Sequence, residues 1–145
     1  MNHLLSCKCS DNWKGWVLLV LRVIIGVVFL AHGWQKIGTG AVGVSQFFGS
    51  ISIPLPLLFA YVVMYLEFLG GIALILGLFT HWISKLLAVV MLVAFLTVHA
   101  SKGVFVSNGG FELVAVLFGG LLVIMTFGAG KFALESYFKR NDTTI

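Results

Sequence analysis

The sequence is short of charged residues. Only 10% of its 145 residues are Asp, Glu, Lys or Arg, whereas 60% are hydrophobic and the mean hydropathy is +1.09. Soluble domains carry a charge on about a quarter of their residues. The composition therefore excludes an ordinary soluble globular domain, and it predicts a protein whose solvent is lipid.

Basic residues are also too scattered to form a nucleic-acid surface. The net charge is +4, but among the nine Lys and Arg residues only Lys139 and Arg140 are adjacent. A face that binds nucleic acid needs clustered basic side chains. We therefore expect no nucleic-acid partner, and we expect the positive charge to reflect orientation in a membrane.

Cysteine is limited to Cys7 and Cys9, both in the polar N-terminal segment. The pair lacks the second pair of ligands that a structural zinc site requires, so no metal site is predicted. Because the apolar stretches contain no cysteine, we expect no direct thiol chemistry by the helices. Whether the pair is a plain pair of thiols or acts in redox chemistry stays open.

The chain has instead four long apolar stretches, at about 17–34, 57–79, 83–100 and 111–129. Each has about 18 to 23 residues, enough to cross a hydrocarbon core of about 30 Å at about 1.5 Å per residue. Backbone groups in lipid must bond internally, so the stretches are expected to be helices. We predict an all-α, polytopic bundle of four transmembrane helices in residues 17–130, between an N-terminal segment (1–16) and a C-terminal tail (131–145).

A shorter pattern lies in the first loop, between Gln35 and Pro56. Apolar residues recur there at i, i+3, i+4 and i+7, from Val44 to Ile51, which is the spacing of an amphipathic helix. We expect this short helix to lie in the membrane interface. Pro54 and Pro56 should end it, and Pro56 suits the first turn of the second transmembrane helix.

Basic residues are unequal on the two sides of the predicted bundle. Two flank the side that holds the first and third loops, Lys36 and Lys102. Six flank the side that holds the termini: Lys8, Lys14, Lys85, Lys131, Lys139 and Arg140. Because positive residues accumulate in cytoplasmic loops, we predict a protein of the inner membrane with both termini in the cytoplasm.

Ionisable side chains inside the predicted helices are the first candidates for function. A charge at the bilayer centre costs about 2.5–3.5 kcal/mol, so Glu67, near the middle of the second helix, should be paired, protonated or in contact with water. Arg22 is its predicted partner in an intramembrane ion pair, because an extended arginine can stretch toward that depth. Gly26 and Gly33 share the stripe of Arg22 and are expected to allow close helix packing.

A second group of polar residues collects on the side opposite the termini: His32, Lys36, His99, Lys102 and Glu112. Histidine and carboxylate can exchange protons near neutral pH, and lysine favours a bound anion. Aromatic residues around them suit a flat ring. The group predicts a pocket for a quinone headgroup, although the alternative of unrelated interfacial residues stays open. No local spacing supports a metal site there.

The order of these residues resembles the DoxX family. Arg22 followed by His32-Gly33-Trp34-Gln35-Lys36, then Glu67-x-x-Gly70-Gly71, then His99 and Gly110-x-Glu112 carry the resemblance, which covers about 21–130. It implies a four-helix bacterial membrane protein. It also implies association with respiratory or thiol-redox complexes, including small subunits of quinol oxidase and of thiosulfate:quinone oxidoreductase.

Three functions are compatible with the sequence. The first is a redox-associated subunit that handles a quinone or small phenolic compound, with no covalently bound cofactor. The second is a non-catalytic membrane scaffold that recruits a soluble or membrane oxidoreductase. The third is a small transporter or proton-conducting bundle. A bound quinone, a co-purifying redox enzyme and solute flux in liposomes would distinguish them in that order.

Overall fold

The computed structural model describes residues 11–141, so Cys7 and Cys9 lie outside the described part of the chain. Within that part the chain is helical and contains no strand, which confirms the all-α prediction. The helices are α1 Asp11–Ser50, α2 Pro56–Leu76, α3 Thr80–Ala94, α4 Glu112–Phe127 and α5 Leu134–Asn141.

Three segments are long and apolar enough to cross a membrane: Trp13–Ser50, Pro56–Leu76 and Thr80–Lys102. The chain is therefore a multi-pass membrane protein. α4 is also apolar but has only 16 residues. At the helical rise its length is about 24 Å, which is less than the thickness of a typical hydrocarbon core.

α1 continues through most of the predicted first loop. Its only break is Gly40, whose φ of 79° and ψ of 152° kink the helix before it resumes to Ser50. Glycine tolerates that conformation because it has no Cβ. The predicted amphipathic helix is thus present as the last part of α1, and the loop shrinks to 51–55. Pro56 occupies the first turn of α2, as predicted.

Glycines bring α1 and α2 close together as an antiparallel hairpin. A side chain on Gly33 would overlap the backbone of Phe68, and a side chain on Gly71 would overlap the backbone of Leu30. Gly26 faces Gly71 in the same way. The predicted packing role of Gly26 and Gly33 is therefore confirmed.

The turns at the two ends of α3 differ in kind. The α2–α3 turn is tight, because Gly77 (φ 72°) and Phe79 (φ 47°) both take left-handed conformations, and α3 begins at once at Thr80. At its other end α3 continues as a π-helical turn, Phe95–His99, and a 3-10 turn, Ala100–Lys102. We call the end with residues 51–55 and 103–111 the loop end, and the end with 13–16, 77–80 and 128–135 the termini end.

Two apolar cores fill the helix contacts. The main core draws on α1 to α4: Ile25, Phe29, Leu74, Leu87, Ala88, Met91, Val114, Leu117, Leu121 and Ile124. The second core is smaller and lies at the loop end, where the last part of α1 packs on the start of α2: Val44, Phe48, Ala60 and Met64. Much of the apolar face predicted for the membrane interface is therefore buried against α2.

Candidate functional site

A buried ion pair joins α1 to α2. The Glu67 side chain is only 3% exposed, and its Oε2 accepts a hydrogen bond from Nζ of Lys36, whose side chain is 27% exposed. A lone carboxylate at this depth would be costly, so Glu67 was predicted to be paired, protonated or in contact with water. The ammonium group of Lys36 makes it paired. Lys36, predicted for the pocket at the loop end, is instead drawn into the bundle.

This pair lies between the two apolar cores. On α1, Phe29 belongs to the main core and Ile37 packs against the second core. On α2, Met64 belongs to the second core and Leu74 to the main core. The ion pair falls between these positions on both helices, so it forms a polar layer that separates the cores.

The other buried charge, Arg22, lies at the termini end. Its side chain is 1% exposed, its Nη2 donates to the carbonyl oxygen of Phe132 over 3.5 Å, and it lies against Gly77. Gly77 follows Glu67 by ten residues on α2, which corresponds to about 15 Å. The predicted ion pair between Arg22 and Glu67 is therefore not formed, and this expectation is corrected.

The correction has a simple geometric cause. Side chains on a helix lean toward its N-terminus. Lys36 on α1 therefore leans away from the loop end, while Glu67 on the antiparallel α2 leans toward it, so the two approach each other. Arg22 leans toward the termini end, away from Glu67. The depth of a residue along its helix does not reveal the direction in which its side chain leans.

At the loop end the segment between α3 and α4 forms a compact structure around His99. The π-helical turn ends at this residue, and its Nδ1 lies 2.6 Å from the carbonyl oxygen of Gly109. A carbonyl oxygen can only accept a hydrogen bond, so Nδ1 carries the proton. In the neutral ring Nε2 is then the proton-accepting nitrogen.

Glu112 fixes the same segment from the start of α4. Its Oε1 accepts a hydrogen bond of 2.6 Å from the backbone N–H of Val106, and its own N–H donates to the carbonyl oxygen of Val104. Lys102 runs beside Gly109, since a Cβ there would lie 3.6 Å from the Lys102 ammonium. The structure thus brings His99, Lys102 and Glu112 into one segment.

His32 and Lys36 belong to the other hairpin. His32 is exposed on α1, and Lys36 is committed to Glu67. Of the five residues predicted for one pocket, three therefore lie in a single stretch of chain and contact its backbone.

Aromatic side chains border this segment. Phe95 and Phe111 pack edge to face, with ring centroids 5.3 Å apart and an interplanar angle of 73°. Phe105, on the same segment, is exposed, as are Val104 and Val106. An apolar rim of this kind, beside a histidine and a lysine, suits a flat ring that carries polar oxygens.

The termini end holds a polar cluster that the sequence analysis missed. The hydroxyl groups of Thr80 and Ser84 are fully buried, and Oε2 of Glu135 accepts a hydrogen bond of 3.0 Å from the N–H of Thr80. The Glu135 N–H donates to the carbonyl oxygen of Gly77. The i, i+4 spacing of Thr80 and Ser84 was visible in the sequence, but the return of Glu135 across 55 residues was not.

Metal binding finds no support in the described residues. Between residues 11 and 141 there is no group of three or more His, Cys, Asp or Glu side chains arranged to hold a metal ion. The side chains at the loop end offer hydrogen bonding, proton acceptance and electrostatic attraction.

Comparison with known proteins adds relatives of several kinds. "Putative oxidoreductase CatD" of Bacillus subtilis is 39% identical over 99 residues, which cover 68% of this chain and 71% of the relative. An uncharacterized protein of Haemophilus influenzae is 35% identical over 133 residues, 88% of this chain and 95% of the relative. "Inner membrane protein YqjF" of Escherichia coli is 29% identical over 121 residues, 81% and 88% of the two chains. No solved structure matches the chain.

The family comparison covers most of the helical bundle. The family model for DoxX matches residues 17–100. The match includes α2, α3 and most of α1, and with them Arg22, Lys36, Glu67 and His99, whereas Glu112 lies beyond it. The chain belongs to the DoxX family.

Proposed function

We propose that this protein is a redox-associated membrane subunit that binds a quinone or a small phenolic compound at the loop end. The observation that carries the proposal is the state of His99. Its Nδ1–H is committed to the carbonyl oxygen of Gly109, which leaves Nε2 as an acceptor for a hydroxyl proton. A half-buried, oriented imidazole of this kind suits the hydroxyl group of a quinol or phenol.

The neighbours of His99 support the same ligand. Lys102 supplies positive charge beside Gly109, which favours a phenolate or another anionic form of the ring. Glu112 spends one carboxylate oxygen on the Val106 N–H, so its contribution is to hold the segment in shape. Phe105, exposed on the same segment, offers an apolar surface to the ring.

The comparisons support the redox association, because the Bacillus subtilis relative carries the name "putative oxidoreductase". They also support a location in the inner membrane, because the Escherichia coli relative is named "Inner membrane protein YqjF". The proposed binding of the ring rests on the contacts of His99, Lys102 and Glu112 in this chain, and not on the names of its relatives.

The test is binding of a soluble quinone analogue, decylubiquinone, to the purified protein in detergent. His99→Ala should weaken binding about tenfold or more, because a buried hydrogen bond to the headgroup is lost. His81→Ala is the matched control. His81 lies near the other end of α3, and its Nδ1 also lies 3.0 Å from a backbone carbonyl oxygen, that of Met125. This control should bind the analogue as the parent does.

Two further variants define the limits of the site. Lys102→Gln should weaken binding severalfold through loss of charge, whereas His32→Ala should change it little because His32 is exposed on the other hairpin. If the parent binds no analogue, or if His99→Ala and His81→Ala bind equally well, the quinone site is refuted. A soluble oxidoreductase that co-purifies with such a protein would then favour the scaffold function.

We further propose that α4 crosses the membrane as the fourth span and that both termini are cytoplasmic. α4 contributes four residues to the main core beside the three longer helices, which supports the interpretation that it spans the same depth of the bundle as they do. The excess of basic residues on the termini side supports the orientation. Single cysteines at Ser45 and Asn141, in a background without Cys7 and Cys9, should label from opposite sides. Labelling of position 141 from outside intact cells would refute the orientation.

A further inference from the structure

The buried polar groups at the termini end are the feature that the proposed function leaves unused. Four of their atoms have no hydrogen-bond partner among the described residues: Arg22 Nε, Arg22 Nη1, Thr80 Oγ1 and Ser84 Oγ. All three side chains are at most 1% exposed. Buried polar groups are almost always hydrogen-bonded, so this concentration at one end of the bundle marks a candidate binding site.

The groups are suited to an oxyanion. The guanidinium group of Arg22 presents two unpartnered nitrogen atoms, Nε with one N–H and Nη1 with two, and the two hydroxyl groups can each donate one hydrogen bond. The α3 helix begins at Thr80, so the N–H groups of its first turn and its dipole favour negative charge at the same place. Lys131, whose ammonium lies 5.2 Å from the ring centroid of Trp16, adds positive charge at this end.

A carboxylate already occupies part of this position. Oε2 of Glu135 accepts the Thr80 N–H, and the charge of Glu135 acts attractively on Arg22. An anion at the start of α3 is therefore compatible with the fold. Yet this carboxylate leaves Arg22 Nε and Nη1 and both hydroxyl groups unpartnered. It satisfies the site only in part.

The segment that carries Glu135 packs on α1 and on the α2–α3 turn. The ring centroids of Trp16 and Phe132 lie 5.4 Å apart, and Ala133 is buried beside Gly77. Arg22 donates to Phe132 over the long distance of 3.5 Å, and the Lys131 N–H and Glu135 N–H each make one backbone hydrogen bond of 3.1 Å. Phe132 has a φ of 52°, a left-handed conformation that is strained for a residue with a side chain, and its ring is exposed. Movement of the Glu135 side chain alone would free the Thr80 N–H for another anion.

We propose that Arg22, Thr80 and Ser84 form a binding site for a phosphate group, which exchanges with the carboxylate of Glu135 at the start of α3. A planar guanidinium group matches phosphate oxygens in pairs, and hydroxyl groups complete the shell. The phosphate can come from the headgroup of an anionic phospholipid or from inorganic phosphate. Both sources share the chemistry, and the experiment separates them.

The test measures thermal midpoints of the full-length protein in a phosphate-free maltoside detergent. Phosphatidylglycerol is added to one series, a diacylglycerol without phosphate to a second, and inorganic phosphate against chloride at equal ionic strength to a third. A ligand that binds only the native state raises the midpoint in proportion to its affinity. A rise with phosphatidylglycerol alone assigns the lipid, and a rise with inorganic phosphate assigns the free ion.

Variants separate this site from general lipid effects. Arg22→Gln should weaken the apparent affinity about tenfold or more, because charge-assisted hydrogen bonds are lost, and Ser84→Ala should weaken it severalfold. Glu135→Gln keeps an acceptor for the Thr80 N–H but removes the competing charge, so it should strengthen phosphate binding. Thr97→Val is the matched control, because that hydroxyl is exposed and already donates to the carbonyl oxygen of Val93.

Ser84→Ala is expected to weaken phosphate binding and Glu135→Gln to strengthen it, so the proposal is easy to refute. If Arg22→Gln does not fold, Ser84→Ala and Glu135→Gln still give the answer. The proposal fails if neither source of phosphate raises the midpoint of the parent. It also fails if Ser84→Ala responds to phosphate as Thr97→Val does, or if Glu135→Gln weakens the response.

Discussion

The two charges buried in the bundle have been accommodated in different ways. Glu67, at the layer between the two cores, has a complementary charge on a neighbouring helix. Among residues 11–141, the partners of Arg22 at the termini end are a long hydrogen bond to a backbone carbonyl oxygen and the attraction of Glu135. Glu67 is therefore compensated by another side chain of the bundle. Arg22 instead keeps hydrogen-bond donors that no described group accepts.

The largest effect should come from removal of the partner of Glu67. Lys36→Met leaves a carboxylate buried without a counter-charge, and we expect the free energy of unfolding to fall by about 3–5 kcal/mol. Denaturant or thermal unfolding in detergent measures this loss. Lys36→Arg retains the charge and should cost clearly less.

A double variant sharpens this prediction. Glu67→Leu combined with Lys36→Met removes both charges, so it should recover a large part of the loss caused by Lys36→Met alone. Additive losses in the two single variants and the double variant would contradict a direct interaction between the side chains.

The next largest effect should come from the close approach that brings the pair together. Gly33→Ala would place a methyl group into the backbone of Phe68 and force α1 and α2 apart, for a cost of about 1–3 kcal/mol. Gly38→Ala is the matched control, because nothing lies within 4 Å of a Cβ at that position. Its better helix propensity should leave stability unchanged or raise it by up to about 1 kcal/mol. Equal effects in the two variants would rule out close packing at Gly33.

The smallest effect should come from Arg22, although it is as deeply buried as Glu67. Arg22→Met removes an incompletely bonded charge and replaces it with an apolar side chain of similar length, so stability in phosphate-free detergent should stay within about 1 kcal/mol of the parent. The same unfolding measurements apply. A loss as large as that of Lys36→Met would mean that Arg22 is as fully compensated as Glu67, and it would remove the contrast between them.

The sequence predicted what depends on local chemistry. Apolar length identified the helices, Pro56 marked the start of α2, and Gly26 and Gly33 were assigned correctly to helix packing. Each of these follows from one residue type and its immediate neighbours. The requirement that Glu67 be paired, protonated or hydrated was also sound, because the cost of a charge in lipid does not depend on the rest of the fold.

The partners were harder to predict because they depend on direction as well as depth. Lys36 and Glu67 meet because their side chains lean toward each other on antiparallel helices. The contact of Glu135 with Thr80 was beyond reach, because it depends on a turn with glycines at 128 and 130 and a left-handed residue, Phe132. Whether His99, Lys102 and Glu112 bind a quinone remains a prediction.

The polar layer formed by Lys36 and Glu67 also bears on how the protein loses its structure. Because it divides the apolar interior in two, the unit around Val44, Phe48, Ala60 and Met64 does not share its packing with the larger unit. Regions with separate packing can open with separate free energies. We therefore expect the last part of α1 and the start of α2, about 41–64, to open as a cooperative unit, with amide hydrogens that exchange while the rest of the bundle stays intact.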